Sequence, residues 1–121
     1  MLEKDGEEHP IPAEFRPMLR QIVDAFAAGD YKLGAHAIDG VEPVDPDTVE
    51  IIAHNICAYG DTLVPLNDET WNTSIARWMG GYWHMLIDLS TAGESVSDLV
   101  LHADLHDAPS HRLEIISVHV P

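Results

Sequence analysis

The chain is poor in cysteine, in basic residues and in long apolar runs, and each shortage excludes a class of protein. A single cysteine, Cys57, allows no internal disulfide and fits a reducing compartment. No apolar run approaches the ~20 residues of a membrane-spanning helix. The opening MLEKDGEEHP has neither the basic nor the apolar region of a secretory signal, so we expect a cytoplasmic protein.

The shortage of basic residues gives the chain a strong negative charge. Six Lys and Arg stand against 21 Asp and Glu, so the formal net charge is −15 with histidine neutral. Such a chain repels nucleic-acid phosphates and anionic membranes, and we expect neither as a partner. A basic protein or a cation is favoured instead, although an acidic surface also serves solubility alone.

The signatures of several enzyme and ligand-binding classes are missing as well. The sequence has no nucleophile elbow, no phosphate-cradling glycine loop, no Cys–His motif and no EF-hand spacing. It also has no internal repeat and no low-complexity segment. What remains is an ordinary globular pattern of apolar residues.

At 121 residues the chain suits one domain. We expect residues 1–9 to form a mobile acidic tail and residues 10–121 to form a single α+β domain. Apolar residues at helical spacing predict a first helix that begins at Phe15 or Arg16 and ends at Gly29.

A second helix is predicted after a loop over residues 30–44. Asp45 is placed to cap its N-terminus, Pro46 to occupy its first position and Gly60 to close it. Cys57 falls on the apolar stripe of this helix, which indicates a buried structural thiol.

The stretch WNTSIARWMGGYWHMLIDL holds all three tryptophans of the chain. Its first half has helical spacing, so we expect a third helix that is capped by Asp68 and ended by Gly80 and Gly81. Its second half alternates and predicts a strand with one face on the core. The side chains expected on that face are Trp83, Met85, Ile87 and Leu89.

Two further alternating segments, 99–106 and 113–120, follow and are separated by a turn at 107–110. We therefore expect an α+β fold with N-terminal helices packed on a C-terminal antiparallel meander of three to four strands. Residues 62–66 are a further strand candidate, limited to an edge by Pro65, and their place in the sheet stays open. An exposed final strand could pair with a second copy, so both a monomer and an edge-paired homodimer stay open.

Polar side chains share the outward face of the predicted meander, namely His84, His102, Asp104 and His106. Our assumed register sets His84 opposite His102 and Tyr82 opposite Asp104, with His119 on the same face. Imidazole and carboxylate suit zinc or nickel, and they also suit acid–base catalysis with His84 or His102 as the base. The spacing matches no known zinc signature, so a solvated sheet face is the simpler interpretation.

A group of carboxylates lies in DGVEPVDPDTVE, namely Asp39, Glu42, Asp45, Asp47 and Glu50. Two or three of them favourably meet the positive N-terminal end of the second helix. The functional interpretation is an electronegative docking surface for a basic protein.

Four segments together resemble a family of small bacterial proteins that is classed only as a domain of unknown function. They are FRPMLRQIVDAFAAGDY, YGDTLVPLNDETW, WMGGYWHMLIDLST, and SDLVLH followed later by VHVP. The resemblance covers most of the chain from Ile11 onward and is weakest over residues 31–45. It implies a bacterial protein made of one such domain, and it carries no catalytic residues.

Similar small acidic bacterial domains include immunity proteins that neutralise toxins. We therefore expect a non-enzymatic binding or regulatory domain, in its sharpest form an immunity-type inhibitor of a basic protein. The alternative is a small metal-dependent or acid–base enzyme that uses the His- and Asp-rich sheet face.

Overall fold

A computed structural model of the chain describes residues 4–107 and 110–121 and confirms a mixed α+β fold. Short 3-10 turns lie at Ala13–Phe15 and Asp68–Asn72. The two helices are α1 (Arg16–Ala27) and α2 (Pro46–Tyr59). The strands are β1 (His9–Pro10), β2 (Leu63–Val64), β3 (Ile75–Trp78), β4 (Trp83–Asp88), β5 (Ser90–Thr91), β6 (Val100–His106) and β7 (Arg112–His119).

Both helices have the ends that local sequence dictates. α1 begins with Pro17 in its first turn, where a missing N–H costs nothing, and Gly29 follows it at φ +87°. The N-terminus of α2 is capped by Asp45, whose carboxylate accepts the N–H of Asp47 at 3.1 Å. Gly60 ends α2 at φ +84°, a left-handed conformation that glycine adopts without strain. These boundaries confirm the predictions for the two helices.

The main sheet has five antiparallel strands in the order β1-β3-β4-β6-β7. A separate sheet pairs β2 with β5. Residues 62–66 therefore supply a short strand, as expected, but this strand does not join the main sheet. The predicted polar turn after β4 contains the other strand of the small sheet, Ser90–Thr91.

The predicted third helix is wrong. Asp68–Asn72 is only a 3-10 turn, and its N-cap is Asn67 rather than Asp68. The chain then enters β3, which pairs with β4 through a hairpin closed by a hydrogen bond from Met79 N–H to Tyr82 O of 2.8 Å. Trp78 contacts Trp83 edge-on at 4.7 Å across this pair, a burial that a helix would forfeit.

Burial follows the predicted alternation along β4 and β6. The inward side chains form one core with the apolar stripes of α1 and α2. In β4 they are Trp83, Met85 and Ile87, and in β6 they are Leu101, Ala103 and Leu105. Strand β7 departs from strict alternation, because a β-bulge places Ile116 between Ile115 and Ser117 without a partner on β6. The inward residues of β7 are consequently Leu113, Ile115 and Val118.

The N-terminal segment contacts the sheet from residue 4 onward. The Lys4 ammonium lies 3.3 Å from the Asp107 carboxylate and over the ring of Trp78. Glu8 pairs with Arg77 at 3.3 Å, and β1 covers part of the outer edge of β3. Mobility of residues 1–9 stays a prediction, and its first three residues lie outside the described part of the chain.

Residues 108–109 of the predicted turn also lie outside the described residues, so only the flanks of that turn are seen. Within 4–107 and 110–121, neither helix has the length and apolar character needed to cross a membrane.

Candidate functional site

The side of the main sheet that faces away from the core is the first candidate site, and we call it the outer face. Its positions alternate with those that face the core, and its side chains are half-buried or exposed except for Val100, which is buried. Its members on strands β4, β6 and β7 are His84, Leu86, Asp88, Val100, His102, Asp104, His106, Glu114, Ser117 and His119.

The register between β4 and β6 differs from the one we assumed. His84 lies opposite Asp104, and His102 lies opposite Leu86 rather than opposite His84. Tyr82 precedes β4, and its ring lies 5.7 Å from that of His106. A shift of two residues leaves the same side chains on the same face, so the apolar alternation could not distinguish the two registers.

Three imidazoles nevertheless lie side by side on the outer face. The rings of His84 and His102 are 5.7 Å apart, and those of His102 and His119 stack at 4.1 Å with 13° between their planes. His84 Nδ1 lies 2.7 Å from a carboxylate oxygen of Asp104. His119 Nδ1 lies 2.6 Å from the Ser117 hydroxyl. The predicted placement of His119 with the other histidines is thus confirmed by the pairing of β6 and β7.

His102 is the middle ring of the three and is partly buried. Its pKa is lowered to about 4, chiefly by burial and then by the neighbouring His119 and His84, while the Asp104 carboxylate acts in the opposite direction. Its Nε2 is buried and has no hydrogen-bond partner among the described residues. His102 is therefore neutral at pH 7 and sits in the centre of the cluster as a flat, stacked ring.

On the outer face, the pair formed by His84 and Asp104 has a geometry suited to acid–base chemistry. Because Nδ1 of His84 meets the Asp104 carboxylate, Nε2 is the nitrogen left to exchange a proton. His106 lies next along the face, with Nε2 3.3 Å from Glu114. Across residues 4–107 and 110–121, no three His, Cys, Asp or Glu side chains are grouped so that they could hold a metal ion. Zinc or nickel binding here stays a prediction.

The carboxylates between residues 39 and 50 have divided roles. Asp45 caps α2, and Glu42 pairs with Arg112 at 3.0 Å. Asp39, Asp47 and Glu50 are exposed, and no Lys or Arg of the described chain forms an ion pair with them. These three, which we call the acidic patch, are the part of the predicted docking surface whose charge is uncompensated.

A groove at one end of the outer face was not foreseen. It has a volume of about 540 Å³ and is bordered by Asp88, Val96, Asp98, Val100, Val120 and Thr73. Asp88 and Val100 are directly paired on β4 and β6, while the other residues come from loops. No local sequence signal joins these segments, because only the pairing of the strands brings them together.

Cys57 corrects a further prediction. Its side chain is exposed and not buried, because the inward stripe of α2 is narrower than the spacing indicated and holds Ile52 and Ile56. The thiol borders a cleft of about 420 Å³ that also includes Tyr31 and Asp61.

Comparison with known proteins gives a family but no activity. A family described as a domain of unknown function, DUF7668, matches residues 23–121. No curated protein and no solved structure matches the chain significantly.

Proposed function

The chain belongs to the DUF7668 family of domains of unknown function, and we propose that it is a non-enzymatic binding domain for a basic protein. The observation that carries this proposal is the acidic patch. Its three carboxylates lie in the loop before α2 and in the first turns of α2, and no Lys or Arg of the described residues pairs with them. With a net charge of −15, the whole surface attracts a cationic partner from a distance and speeds its encounter.

In its sharpest form the domain is an immunity-type inhibitor that covers a cationic enzyme. An acidic domain suits this task because complementary charge steers the encounter with a cationic protein and fixes its register. The cytoplasm is the compartment we propose for this encounter.

The test is capture from a lysate of the source organism with three tagged proteins. The first is the wild type, and the second neutralises the acidic patch with Asp39→Asn, Asp47→Asn and Glu50→Gln. The third is a control that removes the same number of charges from exposed positions elsewhere, with Glu7→Gln, Asp24→Asn and Glu69→Gln.

We expect wild type and control to retain a basic protein at low salt and to release it at high salt, because screening weakens exposed charge pairs. The patch variant should lose it at both salt concentrations. Equal retention by the patch variant, or capture of no basic protein, would contradict the proposal. If the captured protein is an enzyme, its activity should fall as the domain is added up to an equimolar amount.

The second candidate is a small metal-dependent or acid–base enzyme, favoured by the 2.7 Å contact between His84 and Asp104. Its test is thermal unfolding with Zn²⁺ or Ni²⁺ and with a chelator. Metal at a hundred times its dissociation constant would stabilise the fold by about 2.7 kcal/mol. An absent shift, or an equal shift in a His102→Ala, His106→Ala variant, rules out the metal form of this candidate.

A further inference from the structure

The groove at the end of the outer face combines exposed apolar walls with two carboxylates. Val120 is 51% exposed and Val96 is 36% exposed, so both belong to the few large apolar side chains that the fold leaves open to solvent. Val100 borders the same groove and is buried outside the main core. The groove volume of about 540 Å³ falls within the range of ligand pockets.

Neighbouring groups hold the Asp88 carboxylate and the backbone at both Asp88 and Asp98. Asp88 accepts a hydrogen bond from the Thr73 hydroxyl, and its own N–H donates to Ser74 Oγ at 3.0 Å. The N–H of Asp98 donates to the Tyr59 hydroxyl at 3.1 Å. A ligand that meets the Asp88 carboxylate therefore finds it already ordered, which favours binding.

No Lys or Arg in the described part of the chain forms an ion pair with Asp88 or Asp98. Of the six Lys and Arg, four pair with Asp107, Asp68, Glu8 and Glu42, all of which lie outside the groove. Arg16 lies over Trp71, and Lys32 lies beside Gly34 in the loop after α1. The pKa of Tyr59 is raised, chiefly because its hydroxyl donates to Glu94 and in smaller part by the negative charges of Glu94 and Asp98.

From this arrangement we propose that the groove receives a lysine side chain of the basic partner protein. The aliphatic stem would lie along Val100 and Val120, and the ammonium group would meet Asp88 and Asp98. A lysine side chain has the same division, since its stem is apolar and its end is charged. This inference rests on the proposed function for the existence of the partner, but it concerns a surface other than the acidic patch.

The test uses a lysine analogue as the probe, so it needs no identified partner. The amide NMR spectrum of the full chain is followed during titration with N-acetyl-lysine methylamide. N-acetyl-norleucine methylamide is the matched neutral probe, since it keeps the stem and lacks the ammonium. We expect saturable shifts at Thr73, Asp88 and Val100 with the lysine probe, and weaker shifts at the same amides with the neutral probe.

An Asp88→Asn, Asp98→Asn variant should bind the lysine probe about fivefold more weakly or worse, as expected for the loss of exposed charge pairs. The acidic-patch variant should bind it as the wild type does. Asn at position 88 can still accept from Thr73, and Asp98→Asn alone repeats the test if β4 is disturbed. Equal response to both probes, shifts spread over residues 39–50, or undiminished binding by the groove variants would overturn the inference.

The two proposals can fail separately. Capture of a basic protein with full strength by the groove variant would reject the lysine site and leave the binding function standing. Lysine-specific shifts in the groove, together with capture of no basic protein, would reject the binding function and leave a lysine-selective groove.

Discussion

The histidine cluster of the outer face predicts a loss of stability in mild acid. His102 has a pKa of about 4 in the folded protein, against 6.5 for an unperturbed imidazole. Between these pH values the unfolded chain binds a proton at His102 and the folded chain does not. The contribution of His102 to the free energy of unfolding is therefore fully present above pH 6.5 and is lost as the pH decreases through 6.5 towards 4.

The full pKa difference corresponds to about 3 kcal/mol. His102 is only partly buried, and solvent screens its interactions with His84, His119 and Asp104. We therefore expect the free energy of unfolding to fall by only about 1 to 1.5 kcal/mol by pH 4.5. The carboxylates whose pKa values the fold lowers, those of Asp5, Asp30 and Asp61, affect stability at more acidic pH, because their ordinary pKa is 3.8.

The assay is urea unfolding at pH 7.5 and 4.5 at constant ionic strength. His102→Phe keeps a ring stacked on His119 and cannot be protonated, so it should lose about 1 kcal/mol less than wild type over this pH interval. The exposed His54→Gln serves as the control and should follow wild type. Equal losses for wild type and His102→Phe would refute the assigned role of His102.

Three further predictions concern the fold and use the free energy of unfolding from urea titrations. Trp83→Ala should cost about 3–5 kcal/mol because this ring is buried, whereas exposed Met79→Ala should stay within about 0.5 kcal/mol; equal values would show that the core strand is misplaced. Gly80→Ala should cost about 1–2 kcal/mol because φ is +95°, and Gly81→Ala, with open space around it and no positive φ, is the matched control that should cost much less. Asp45→Ala should cost about 1 kcal/mol by removing the N-cap of α2, and no change would deny that cap its role.

The predictable parts of the fold are those in which one period continues for long enough. Residues 15–29 and 45–60 combine helical spacing with recognisable ends, and the alternation of residues 83–89 and 99–106 identifies β4 and β6. Trp71, Ile75 and Trp78 have helical spacing, which wrongly predicts a helix over Ile75–Trp78. The segment forms a strand instead, because Trp78 gains more by packing across the hairpin on Trp83.

The candidate site was predictable in membership but not in geometry. Alternation alone placed His84, His102 and His106 on one face, since it fixes which way a side chain points. It could not decide the pairing, because registers that differ by two residues bury the same side chains. The bulge at Ile116 and the groove beside Val100 depend on how β6 and β7 meet, which no local period encodes.

The coverage of the sheet edges bears on how a partner would bind. Beside β7, Leu113 exchanges hydrogen bonds with Gly40 and Glu42, and the Asn55 side chain donates to the carbonyl of Val118 at 2.9 Å. A second copy could pair along β7 only by displacing these groups, so the predicted edge-paired homodimer would have to replace existing hydrogen bonds. A partner that leaves the fold intact meets side chains instead. Its selectivity would then depend on charge and shape, which the acidic patch and the proposed lysine site in the groove would supply.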